Sequence, residues 1–109
     1  MVKHLVFWRL KDEAFGNNKT TNALLIKKKL EDLNGQIEGL IHLEVGIDFS
    51  KMEDSYDVAL YAEFESRNAL AYYQEHPKHK EIQQFVKAVR SERCAVDFES
   101  SLKMNVVNN

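Results

Sequence analysis

The sequence predicts one domain of the α+β class, with a single antiparallel sheet and helices on one of its faces. Three observations carry this expectation. Strand-like segments near the start, middle and end of the chain are rich in β-branched and aromatic residues, and the middle one alternates cleanly. Apolar stripes at spacings of three and four mark helices between the first and second strands and before the last. The chain has 109 residues, enough for one domain and too few for two.

The first strand covers residues 2–10. Even positions carry Val2, His4, Val6, Trp8 and Leu10, and odd positions carry Lys3, Leu5, Phe7 and Arg9. Both faces are largely apolar, which predicts cover on both sides. Residues 11–18 are polar, contain Gly16 and read as a loop. A helix follows from about Thr20 or Thr21, either of which can cap its free N–H groups. Its stripe is Ala23, Ile26, Leu30, Leu33 and Ile37, and the pattern stops near Gly35 and Gly39. In residues 40–49, Ile41, Leu43, Val45, Ile47 and Phe49 alternate with His42, Glu44, Gly46 and Asp48, the clearest strand in the chain. Residues 50–55 make a polar turn, and residues 56–64 form a third strand paired as a hairpin with the second. Ser66 caps a helix running to about Glu75. Pro77 restarts the chain, because the residue before a proline is pushed away from helical angles while proline suits a first helical position. Ile82, Phe85, Val86 and Val89 mark the next helical stripe, and residues 93–99 form a short last strand. The domain is expected over residues 1–100, with a patternless tail at 101–109.

The resulting order, β-α-β-β-α-β with a broken second helix, is that of the ferredoxin-like split βαβ motif. Helices on one face leave the other sheet face bare. Leu5 and Phe7, with the odd residues of the second strand, need cover there. A second copy of the same sheet supplies it, which predicts a homodimer through the sheet face and a two-subunit barrel.

Composition excludes several function classes. The formal net charge is −2, which argues against a nucleic-acid binder that must neutralise phosphates. The run Lys27, Lys28 and Lys29 lies in a predicted helix near Glu31 and Asp32 and reads as a solvated face. One cysteine, Cys94, permits no internal disulfide and reads as a small buried strand residue. Lys3 and Arg9 interrupt any signal-peptide core, and no apolar run approaches the roughly 20 residues needed to span a membrane. A cytoplasmic protein without membrane partners is the expectation. Gly16, Gly35, Gly39 and Gly46 form no phosphate loop, and no cofactor is expected.

Three segments carry a family likeness. They are the opening Val2-Lys3-His4-Leu5-Val6-Phe7-Trp8-Arg9-Leu10-Lys11, the element Tyr73-Gln74-Glu75-His76-Pro77-Lys78-His79, and the ending Val89-Arg90-Ser91 followed by Val96-Asp97-Phe98. Together they resemble the stress-responsive α/β-barrel (Dabb) family over residues 2–99. The resemblance implies a dimeric α+β barrel. Most such proteins have no assigned reaction, and plant members include stress-associated proteins and a polyketide cyclase that closes a ring by aldol condensation. That cyclase's two histidines match His4 and His79, and one of its tyrosines matches Tyr73. Its first-helix tyrosine is replaced here by an aliphatic residue, Leu30 or Ile26. The resemblance also implies a cation held on the backbone carbonyls of Asn34, Ile37 and Leu40, where helix-end carbonyls lack partners.

Chemistry at His4, His79 and Tyr73 is plausible on its own terms. Imidazole titrates near neutrality and can take a proton next to a carbonyl, and a phenol can hydrogen-bond the developing enolate. His79 shares the stripe of Ile82 and Val86, and His4 shares the face of Val6 and Trp8. The bland reading makes both histidines core residues, makes Tyr72 and Tyr73 packing residues and has Trp8 fill the space a ligand would need. His76 reads as a turn residue. His76, His79, Glu75 and the lone His42 make a weak zinc signal. Three functions remain open: a stress-related or apolar-ligand-binding protein without catalysis, a cyclase or lyase acting on a small carbonyl compound with His79 as base, and a cofactor-free monooxygenase. An open pocket at His4, Tyr73 and His79 separates the last two from the first.

Overall fold

The computed structural model describes residues 1–101, so expectations for residues 102–109 lie outside it. The elements are β1 (Val2–Leu10), β2 (Glu13–Ala14), β3 (Asn17–Asn18), α1 (Lys19–Glu31), β4 (Leu40–Ile47), β5 (Val58–Phe64), α2 (Arg67–Glu75), α3 (Pro77–Val89) and β6 (Arg90–Glu99). The main sheet has the order β4-β5-β1-β6 with every pair antiparallel. This is the expected ferredoxin-like fold.

The even residues of β1 lie beneath the helices, as do Val58, Leu60, Ala62 and Phe64 of β5. From above, α1 presses Ala23, Ile26 and Leu30 into this layer, and the turns after it add Leu33 and Ile37. Val86 and Val89 of α3 complete the core, with Ile82 and Phe85 half-buried beside them. Among the described residues no helix is long and apolar enough to cross a membrane.

Several elements depart from their expected form. Residues 11–18 are a small hairpin, β2-β3, rather than an open loop. Phe15 (φ 55°) and Gly16 (φ 73°) supply the two left-handed positions of its two-residue turn. Asn18, and not Thr20 or Thr21, caps α1 by accepting from the Thr21 N–H at 2.8 Å. At its other end α1 covers the free edge of β4. The Glu31 carboxylate accepts from Val45 N–H (3.0 Å), and the Asn34 amide brackets both backbone groups of Leu43 (2.8 and 2.9 Å). An edge strand's orphan donors and acceptors are thereby met within the subunit. The lysine run behaves as a solvated face, with Lys27–Glu31 and Lys28–Asp32 ion pairs four residues apart.

Two expectations about the open sheet face are corrected. Leu43 and Val45 are buried beneath the helices, opposite Ala62 and Leu60, so these two odd residues of β4 do not join Leu5 and Phe7 on that face. Cys94 is exposed, because its partner in register is Phe7, on the face the helices do not cover. The strands also shift at their ends: β5 starts at Val58, β4 stops at Ile47 and β6 begins at Arg90.

The helix break forms as expected. His76 is extended (φ −66°, ψ 134°), and its ring accepts from the Lys78 N–H at 3.1 Å, so it caps α3. Upstream, Ser66 caps α2 by accepting from Ala69 N–H at 3.1 Å. Helix α2 is seated on Gly39, where a Cβ would stand 2.6 Å from the Ala69 Cβ at a φ of +87°. Gly39→Ala therefore combines a left-handed backbone with an overpacked contact, and it should cost at least about 1–3 kcal/mol by chemical denaturation. An unchanged midpoint would show that α2 is not held against this turn. Trp8, 6 % exposed, should cost about 3–5 kcal/mol on truncation to alanine; a cost below about half a kcal/mol would place it outside the core.

Candidate functional site

Even-numbered β1 residues point toward the helices, which brings His4 under α2 and α3 at 3 % exposure. The antiparallel register sets Asp97 of β6 directly opposite His4. The His4 Nδ1–H donates to the Asp97 carboxylate. An ionised carboxylate only accepts, so Nδ1 carries a proton.

Tyr73 descends from α2 and is fully buried. Its ring centre lies 6.3 Å from that of His4 and 4.3 Å from that of His79. Burial raises the Tyr73 phenol above its usual value, so it stays protonated and available as a donor. His79, half-buried on the first turn of α3, has Nδ1 3.4 Å from the Gln74 carbonyl oxygen. Donation from Nδ1 to that oxygen leaves Nε2 with its lone pair. Burial lowers the His79 pKa, the Gln74 carbonyl partly offsets this, and the charges of His4, Arg93 and His76 lower it further. A neutral imidazole with a free acceptor nitrogen is the form a general base requires.

These side chains line one cavity of about 210 Å³ between sheet and helices. His4, Val6 and Trp8 contribute from β1, Tyr73 and His79 from α2 and α3, and Arg90 and Arg93 from β6. The cavity exists because β6 is exposed along most of its length, leaving space beneath α3. Trp8 is therefore a wall of this space and does not fill it, contrary to expectation. Leu30, not Ile26, is the aliphatic residue that lines it. The Tyr73 hydroxyl and the Trp8 Nε1 are both buried, with no hydrogen-bond partner among the described residues. An unmet buried donor typically costs about 1–3 kcal/mol, and both of these atoms are closed to a water-sized contact within the wall of the cavity.

The other singled-out residues stand apart. Tyr72 is exposed, and His76 serves as a helix cap. His42 is exposed on β4, opposite Glu63. Glu75 lines the cavity but pairs with Lys80 at 3.0 Å. Among the described residues no group of three or more His, Cys, Asp or Glu could hold a metal. The backbone-carbonyl set of Asn34, Ile37 and Leu40 falls in the turn from α1 to β4 and does not line the cavity. There the Ile37 carbonyl accepts from Leu40 N–H at 3.2 Å.

Asp97, Arg90 and Arg93 are the site residues that sequence patterning missed. Their signal lies in the β1–β6 register, which pairs His4 with Asp97 and Trp8 with Arg93. No hairpin joins these two strands, so nothing local announces the register.

Solved structures share this architecture. A dimeric ferredoxin-like protein of unknown function from Thermobifida fusca superposes with a TM-score of 0.77 at 23 % identity, covering 89 % of this chain and 88 % of its own. A dimeric protein of unknown function and ferredoxin-like fold from Bacteroides fragilis gives 0.73 at 24 %, with 91 % and 95 % covered. The hydroxynitrile lyase of Passiflora edulis gives 0.74 at 17 %, with 94 % and 95 % covered. At these identities the likeness shows the fold. A search of curated proteins gave no significant match. Residues 2–100 match the model of the Stress Responsive A/B Barrel Domain, and the chain belongs to that family.

Proposed function

We propose that this protein works as a homodimer and that each subunit's cavity binds a small carbonyl compound, with proton transfer at the carbon beside the carbonyl. The observation that carries this reading is one open cavity lined by His79, whose pKa is lowered, by His4, which Asp97 holds from behind, and by Tyr73 and Trp8, whose buried donors lack partners. His79 Nε2 takes the proton. The Tyr73 hydroxyl and Trp8 N–H, closed to contact in the ligand-free subunit, would reach the oxygen on which charge develops once a ligand opens that wall. The His4–Asp97 pair orients the second imidazole. A similar fold in a protein described as a hydroxynitrile lyase supports a lyase-type or cyclase-type reaction. The cavity lies below the roughly 300–1,000 Å³ of drug-sized ligand sites, which favours a small substrate over a linear polyketide. Leu30 at its wall also removes the first-helix tyrosine expected of the plant cyclase.

Dimerisation rests on the open sheet face. Leu5 pairs with Val96, Phe7 with Cys94 and Lys3 with Phe98, so an apolar row crosses β1 and β6. Val96 and Phe98 are about half exposed in the single subunit. Beside that row, Lys3 bonds Tyr61 and Glu63, each at 2.7 Å. Light scattering at micromolar concentration should report twice the 12.7 kDa chain mass. A compact, stable monomer would overturn the assembly.

His79 provides the test of the cavity. Its NMR titration midpoint in the ligand-free protein should fall below the usual value near 6.5. Because the folded pKa is depressed, the unfolded chain takes the proton first as the pH falls. The stability this group contributes is whole above about pH 6.5 and is lost as the pH drops through the folded value. His79→Gln should remove that part of the acid sensitivity. A midpoint at or above 6.5 would take away the neutral base on which the proposed chemistry depends.

A further inference from the structure

We propose that the ligand of this cavity carries a carboxylate, and that Arg90 and Arg93 recognise it. The proposal deepens the preceding reading and rests on the cavity being a ligand site.

The charge around the cavity is unbalanced. Glu75 is paired with Lys80, and the Asp97 carboxylate is turned to His4 and does not line the space. Lys87, Arg90 and Arg93 also line the space, and among the described residues none of the three has an ion-pair partner. The two guanidiniums lie close enough that Arg93, after burial, lowers the Arg90 pKa. Two like charges held side by side without a counter-ion favour an anion between or beside them. Arginine's planar fork matches a carboxylate with two parallel hydrogen bonds.

The hydrogen-bonding character points the same way. The Trp8 N–H and both guanidiniums can only donate, and the protonated Tyr73 phenol has no acceptor within reach. A fitting ligand is rich in acceptors. The remaining walls include Val6, Leu30, Leu60, Ile82 and Val86, which favour an organic body over a bare inorganic anion. A small organic acid with a second oxygen meets these demands: its carboxylate sits at Arg90 and Arg93, and its second oxygen faces the wall that carries the buried Tyr73 and Trp8 donors.

The chain's one tryptophan makes the test direct, since Trp8 gives a single indole N–H signal in a nitrogen-resolved NMR spectrum. The intact protein at pH 7 and about 0.1 M salt would be titrated with benzoate, its neutral isostere benzamide, and inorganic phosphate. Benzoate should move the Trp8 indole and His79 signals together and bind at least tenfold more tightly than benzamide or phosphate. Arg93→Gln and Arg90→Gln should each weaken benzoate at least fivefold while leaving benzamide within twofold, and Arg93→Lys should keep part of the difference. Lys87→Gln serves as the comparison for a diffuse field. Equal binding of benzoate and benzamide, or equal losses in the Lys87 and arginine variants, would overturn carboxylate recognition while leaving the ligand site standing. Phosphate binding as tightly as benzoate would overturn the choice of carboxylate. If no probe moves the Trp8 or His79 signals, the ligand-site reading itself fails.

Discussion

The pairing of β1 with β6 is the constraint on which the rest of the molecule depends. Strand β1 is central and flanked on both sides, and its side chains alternate strictly between the helix face and the open face. A shift of one residue against β6 would exchange those faces. In the observed register, Asp97 and Arg93 join His4 and Trp8 on the helix side, while Val96 and Phe98 join Leu5 and Lys3 on the other. The chemistry of the cavity and the apolar character of the open face are therefore set by one alignment. The helices supply the second condition: they bury the inward rows of β4, β5 and β1 but leave β6 largely exposed. The uncovered strip is the cavity.

That arrangement sustains polar groups a filled core would not. His4 is almost wholly buried, yet its Nδ1–H is met by a carboxylate whose own side chain remains 43 % exposed. The desolvation cost of such a pair falls mainly on the histidine, because Asp97 keeps much of its hydration. Tyr73 and Trp8 differ, since each presents a buried donor without a partner. Native cores seldom leave such groups unmet. Both residues belong to the cavity wall, so their unmet donors lie within its lining.

Much of the fold was legible because its signals are local. The alternation in β1, the stripe of α1 and the Ser66 and Pro77 helix starts all depend on neighbours within a few residues. Errors arose where a longer-range partner decided the outcome. Leu43 and Val45 look equally suited to either sheet face, and only their positions opposite Ala62 and Leu60 assign them to the core. Cys94 reads as buried by residue type, but its register opposite Phe7 leaves it exposed. The same limit governed the site. His4, Tyr73 and His79 were found through family-like segments, whereas Asp97, Arg90 and Arg93 become site residues only once β6 is laid beside β1.

The two faces of the sheet can be perturbed separately, and this gives the architecture its functional logic. In the proposed dimer, a partner sheet seated on Leu5, Phe7, Val96 and Phe98 would lie across the thickness of the sheet from His4, Trp8, Arg93 and Asp97. Association through that face would therefore cover apolar surface on the side of the sheet away from the cavity. It would stiffen β6, which has no strand on its outer side and little helix cover, yet carries Arg90, Arg93 and Asp97 at that edge of the candidate site. A frayed β6 would move Asp97 away from His4 and Arg93 away from Trp8 together. Holding this strand in place from the opposite face would preserve the site's geometry. In the proposed dimer, the physical role of the second subunit would be to support the strand that bears Arg90, Arg93 and Asp97.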